Sequence, residues 1–139
     1  MTDEVRMKRL SVALKVISVA FCVFVIILVL VLVDSSLIAE GTILGRLLLW
    51  QPYHKAYESM IIALYIVWGV MLWVASKNPA QNKVFIDFTI LANLAHAIVM
   101  FIAALAMEGE LLHMVGDVLL LLIVSGVLLW LRPRRKVST

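Results

Sequence analysis

The chain has 139 residues, 64% of them hydrophobic and 15% charged. Soluble domains average about 45–50% apolar residues, so a protein this small carries more apolar surface than water tolerates, and lipid must solvate much of it. The net charge of +3 does not point to nucleic acid, because the basic residues gather at the ends of apolar runs, where membrane orientation explains them. The lone cysteine, Cys22, sits inside the first apolar run and has no partner for an internal disulfide.

A basic lead (Arg6, Lys8, Arg9, Lys15) precedes the first apolar run, which closes at Asp34. A membrane span needs about 20 apolar residues, and the stretch from about 10 to 33 qualifies. A cleaved secretory segment has an apolar region of about 7–15 residues ending in a small-x-small site. This run is longer and ends VLVDSS, which favours a retained helix.

The connection that follows contains ILGRLLLWQP, with Ile43, Leu44, Leu47 and Leu48 at helical spacing and Pro52 as a stop. It is too short to span, so an amphipathic helix over about 42–51, lying at the membrane interface, is expected. Trp50, Tyr53 and Tyr57 belong at headgroup level, and His54 and Lys55 read as solvated loop residues. The second span is expected over about 57–75, stopped by Ser76-Lys77-Asn78-Pro79. The third covers about 85–107, and Glu108-Gly109-Glu110 makes a tight turn with Gly109 at its flexible point. The fourth covers about 111–131 and ends at the basic run beginning at Arg132. The expected fold is an all-α membrane protein: one polytopic domain, a four-helix transmembrane bundle with a short interfacial helix. Its short turns should make the second, third and fourth spans antiparallel neighbours.

Lysine and arginine set the orientation. With the N-terminus inside, the cytoplasmic pieces hold Arg6, Lys8, Arg9, Lys15, Lys77, Lys83, Arg132, Arg134, Arg135 and Lys136, and the outer pieces hold Arg46 and Lys55. That asymmetry places both termini in the cytoplasm.

Between Asp87 and Asp117 the chain is apolar enough for a bilayer yet carries Asn93, His96, Glu108, Glu110 and His113. Ionisable groups at membrane depth are expensive and ask for a reason. Asn93, His96 and Met100 fall on one helical stripe, and Glu110, His113 and Asp117 repeat that spacing on the next span. Glu58, Tyr65 and Gly69 share a side of the second span. At about 1.5 Å per residue, Met100, Tyr65 and Asp117 lie at similar depth, whereas His113 and Glu58 lie near the surface. A polar cluster of Glu58, His96, Met100, His113 and Asp117 in the outer half of the bundle follows. Asp87, at the inner end of the third span, reads as a helix-start carboxylate matched to the dipole.

Several chemistries use these residue types. Glu58, His113 and Asp117 are candidate ligands for a divalent metal, to which the Met100 thioether would add a soft donor. His96, Met100 and His113 are candidate cofactor ligands, since imidazoles on two helices can hold a haem iron. His96 and Asp117 could relay protons. The structural alternative is that these groups hold helices together, at about 0.6–2 kcal/mol per interhelical hydrogen bond. The chain has no GxSxG, P-loop, HExxH or GxGxxG motif, so no catalytic residue is nominated. An accessory subunit of a membrane complex, or a small proton-coupled transporter working as a homo-oligomer, are the other readings. For the subunit, Gly69, Gly116 and Gly126, with Ala103, Ala104 and Ala106, would serve close helix packing.

The stretch from Asn93 to Asp117, with His96-x-x-x-Met100 and His113-x-x-Gly116-Asp117, resembles a group of small uncharacterised bacterial four-helix membrane proteins. The short polar turn SKNPAQNK and the basic end LRPRRK belong to the same likeness, which runs from about Tyr57 onward. It implies a bacterial inner-membrane protein and brings no activity or ligand with it.

Overall fold

The computed structural model describes residues 2–34, 43–50 and 54–132, apart from the side chains of Leu44 and Leu48. Tyr53 and the basic run after Arg132 lie outside the described residues. The described chain is helical: α1 (Asp3–Val33), α2 (Ile43–Leu48), α3 (Lys55–Lys77), α4 (Lys83–Ala106), a 3-10 helix (Glu110–Met114) and α5 (Asp117–Leu131). Four helical segments are long and apolar enough to cross a membrane, the fourth being the 3-10 helix continued by α5. This is a four-helix membrane bundle. Its outer faces carry the exposed Val, Ile, Leu and Phe side chains that lipid would solvate, such as Val16, Leu64, Ile98 and Leu119.

The helices pack as two antiparallel pairs, α1 with α3 and α4 with α5, joined by a lesser contact between α1 and α5. Chain order predicts α3 beside α4, and in the structure these two meet through side chains rather than by close backbone packing. The reason lies in side-chain size. Where α1 meets α3, Ser11, Ser18, Gly69, Ala75 and Ser76 keep the surfaces small, so that serine hydroxyls reach carbonyls across the seam, and such bonds join helices in lipid. The Ser18 hydroxyl donates to the Gly69 carbonyl at 2.7 Å, and Ser11 to the Ser76 carbonyl at 2.6 Å. Between α3 and α4 stands Trp68, whose Nε1–H donates to Thr89 Oγ1 at 3.1 Å. A bulky indole bridges these two helices and holds them apart.

Packing is uneven along the bundle axis. At the end where the chain starts, Leu10, Leu14, Ile17, Leu72, Ala75, Ile86, Ile90, Leu128 and Leu131 form one buried cluster drawn from all four spans. Ser125 closes the α4–α5 seam there by donating to the Ile90 carbonyl at 3.3 Å. Asp87, expected at a helix start, lies in the second turn of α4 and pairs at 3.4 Å with Arg132, the residue that follows α5. Both groups are about half exposed, and such pairs contribute little in water.

The opposite end is built from turns. Gly109 takes φ +89°, a conformation that costs L side chains about 1–2 kcal/mol, and this lets the chain reverse after α4. The fourth span does not begin as a regular α-helix. It starts with the 3-10 turn Glu110–Met114, breaks at Gly116 and resumes at Asp117. The short α2 packs against that 3-10 turn. Arg46 donates to the Gly109 carbonyl at 3.2 Å. A Cβ on Gly116 would come within 3.3 Å of the Leu47 side chain and its carbonyl oxygen, so here a glycine is what permits contact. Gly126, by contrast, faces open space, and a Cβ on Gly69 would meet α1 only at ordinary van der Waals distance. Of these three packing glycines, Gly116 alone marks a close approach.

Candidate functional site

The loosely filled end of the bundle encloses a cavity of about 320 Å³ between the two helix pairs. Its walls come from every span. Phe21, Phe24 and Leu28 of α1 face Glu58, Ile61 and Tyr65 of α3. His96 and Met100 come from α4, and Asp117, Leu120 and Leu121 from α5. Leu49, Trp50 and His54, from the connection between α1 and α3, complete the lining. His54 and Tyr57 are exposed, so the cavity reaches the protein surface on that side.

Asp117 anchors the polar side. It occupies the first turn of α5, where a carboxylate suits the positive end of the helix dipole. Its Oδ2 accepts the Trp50 indole N–H at 2.8 Å and lies 2.8 Å from His113 Nδ1. The other ring nitrogen of His113, Nε2, is 3.0 Å from Glu110 Oε2. That oxygen lies out of line with a ring N–H, so the contact is a close approach rather than a directed hydrogen bond. The Trp50 ring stacks on the imidazole, with centroids 4.0 Å apart and planes inclined at 27°. His113 is thereby fully buried, 0% exposed, with Glu110 at 6%. A depth count places His113 near the end of its span. Burial comes instead from Trp50, brought over it by α2.

The structure brings Glu58, His96, Met100 and Asp117 to one cavity. It places His113 behind Asp117, outside the lining, with both ring nitrogens facing carboxylates. Among the described residues, no group of three His, Cys, Asp or Glu side chains is arranged to hold a metal ion. Asn93 shares a helical stripe with His96 and Met100 but sits deeper in the packed half, donating its Nδ2 to the Thr89 carbonyl at 2.7 Å. Asp117 is near enough for its charge to act on both Tyr65 and His96.

Sequence reasoning missed Trp50 as a member of the site, along with His54, Tyr57, Phe21 and Phe24. Trp50 reads as an interfacial anchor because its position beside Pro52 looks like a loop. The useful signal was its N–H: a tryptophan that turns inward needs an acceptor, and Asp117 is the carboxylate at the matching level.

An antiparallel membrane bundle with a polar-edged cavity between two helix pairs is the class that fold and site define. Within that class the chain belongs to a family of unknown function, DUF6632, whose model matches residues 6–135. No curated protein and no solved structure matches it.

Proposed function

We propose that this protein binds a small molecule within the membrane and couples that binding to proton movement through Asp117, His113 and Glu110. One observation carries the reading: Asp117 is at once a wall of the cavity and the first member of a carboxylate–imidazole–carboxylate chain. A cavity near 320 Å³ with a few convergent polar groups fits a small-molecule site, since such sites run to about 300–1,000 Å³. A proton taken up at Asp117 passes to His113 Nδ1, and Nε2 releases one to Glu110, at the turn end of the span, once that carboxylate turns into line with the ring N–H 3.0 Å away. His96, across the cavity, supplies a second imidazole to receive or return a proton.

The metal set Glu58, His113 and Asp117, and the haem set His96, Met100 and His113, both draw on His113, which would first have to leave Asp117. Proton-linked binding keeps His113 on Asp117 and needs only a reorientation of Glu110. With both termini cytoplasmic, as the lysine and arginine distribution favours, and in a bacterial inner membrane, as the resemblance implies, the cavity belongs to the outer half of the bilayer and takes its ligand from that side.

The test is binding to detergent-purified protein of a panel of small aromatic compounds (cationic, neutral and anionic) on either side of neutral pH. Tryptophan emission is the readout, because Trp50 lines the cavity. At least one compound should bind with a pH-dependent affinity, and Asp117→Asn should flatten that dependence. pH-independent binding of every compound, or a pH dependence that survives Asp117→Asn, would refute the coupling.

A further inference from the structure

We infer that the cavity is a site for an uncharged quinone-type ring taken from the bilayer. The inference rests on the cavity proposed above as a binding site and names what it selects.

Charge comes first, and it favours neither kind of ion. Among the described residues no lysine or arginine lines the cavity, so an anion finds no counter-charge there, and an unpaired ion is costly to take out of water. A cation would have to compete for carboxylates that are already engaged. Asp117 accepts the Trp50 indole N–H at 2.8 Å and lies 2.8 Å from His113 Nδ1, and Glu58 is partnered as well. The rest of the lining is apolar, with Phe21, Phe24 and Leu28 on one helix pair and Leu121 and Val124 on the other. Such a surface suits a neutral ligand.

Two polar groups of the lining are left for that ligand. The side chains of Tyr65, on α3, and His96, on α4, make no hydrogen bond to another described residue. The charge of Asp117 reaches both of them, so they surround the same part of the cavity. Tyr65 donates through its hydroxyl, and a neutral imidazole donates through one ring nitrogen. Two donors on opposite helix pairs suit a flat ring with an oxygen acceptor at each side. Tyr65 also packs on Phe21 with ring centroids 4.8 Å apart and on Phe24 at 5.4 Å, an aromatic surface for such a ring to lie against. The way in is a second, independent observation. Ala20, Ile61 and Leu120 line the cavity and yet are exposed, Leu120 at 61%, and they come from three different spans. The two helix pairs are also joined less closely than the helices within each pair. An opening framed by alanine, isoleucine and leucine at membrane depth faces hydrocarbon, which admits an uncharged ring and resists an ion.

The experiment is equilibrium dialysis of full-length protein in detergent against radiolabelled tetramethyl-para-benzoquinone, with empty micelles as the blank. Its fully substituted ring leaves no open carbon for addition of the Cys22 thiol. Competitors are hexamethylbenzene, which replaces both oxygens by methyl groups, the anion tetramethylbenzoate and the cation benzyltrimethylammonium. Binding should saturate at one quinone per chain, with all three competitors weaker by about tenfold or more. Tyr65→Phe, which keeps the ring and removes the donor, and His96→Leu should each weaken it by about three- to tenfold. The variant carrying both should bind quinone and hydrocarbon alike, which a loss of packing alone would not produce. Helix content by circular dichroism identifies a variant that has not folded, and Tyr65→Phe, the smaller change, decides if His96→Leu fails. Four results would overturn the inference: no saturable quinone binding, competition by hexamethylbenzene as strong as by the quinone itself, stronger competition by either ion, or wild-type quinone affinity in both Tyr65→Phe and His96→Leu. Saturable quinone binding that does not vary with pH upholds the ligand and removes the proton coupling. An Asp117-dependent pH effect on another compound, at a site the quinone does not enter, overturns the ligand and leaves the coupling standing.

Discussion

Replacing Trp50 by Phe deletes one N–H and keeps most of the ring over His113. The lost bond runs 2.8 Å to a carboxylate oxygen. A hydrogen bond to a charged group contributes about 1.5–3 kcal/mol in a dry site, but interhelical bonds measured in a membrane protein average about 0.6 and reach about 1.7. Trp50 is half-buried and Asp117 keeps its contact with His113, so the lower range applies, and Trp50→Phe should cost about 1 kcal/mol. Trp50→Ala also removes the stack at 4.0 Å, which adds about 0.5–1.5 kcal/mol and opens His113 to solvent. The assay is reversible unfolding in mixed micelles, run as a double-mutant cycle with Asp117→Ala. The cycle should return a coupling of about 1 kcal/mol. The cycle with Asp87→Ala, at the other end of the bundle, should return none. Additivity of Trp50→Phe with Asp117→Ala would refute the idea that this bond fastens the α2 connection onto the fourth span.

Other substitutions test the two ends of the bundle in the same unfolding assay. Gly116→Ala should cost about 1–3 kcal/mol, because its Cβ meets Leu47 at 3.3 Å, partly against backbone. Gly126→Ala, with open space around it, should be neutral or stabilising by up to about 1 kcal/mol through helix propensity. Gly109→Ala should cost about 1–2 kcal/mol because of its φ of +89°. Thr89→Val removes the acceptor of the Trp68 indole and should cost about 0.6–1.7 kcal/mol, whereas Asp87→Asn at the half-exposed pair with Arg132 should change stability by less than about 1 kcal/mol.

The four spans were legible because lipid imposes a length and a composition on any helix that crosses it. The stripes of Asn93, His96 and Met100 and of Glu110, His113 and Asp117 were legible because helical spacing is fixed. Which helices pair was not. That depends on the small residues Ser11, Ser18, Gly69 and Ser76 meeting across two different spans, and on the indole of Trp68 keeping α3 from α4. Neither is visible in a single helix. Trp50 was hidden for a related reason: its hydrogen bond joins residues 67 apart in the chain. The 3-10 start of the fourth span was also hidden, since an apolar run ahead of α5 reads as plain helix. Gly116 was the clue, but a glycine flanked by Val115 and Asp117 reads equally well as a packing position.

The two ends of the bundle are built on opposite rules, and the difference bears on function. The lower half uses small hydroxyl residues and leucine to close α1, α3, α4 and α5 on one buried cluster. Had the upper half continued that pattern, no cavity would exist. It is instead lined by large aromatic rings from α1 and α3, and the polar residues of α4 and α5 stand opposite them. A carboxylate at the edge of that space would be costly in lipid, and three contacts hold it there: Trp50, His113 and, through His113, Glu110. The connection after α1 makes this possible by carrying Trp50 across the bundle end. The polar groups between Glu110 and Asp117 therefore do two things at once. They close one end of the fourth span, and they present a single carboxylate, Asp117, to the cavity.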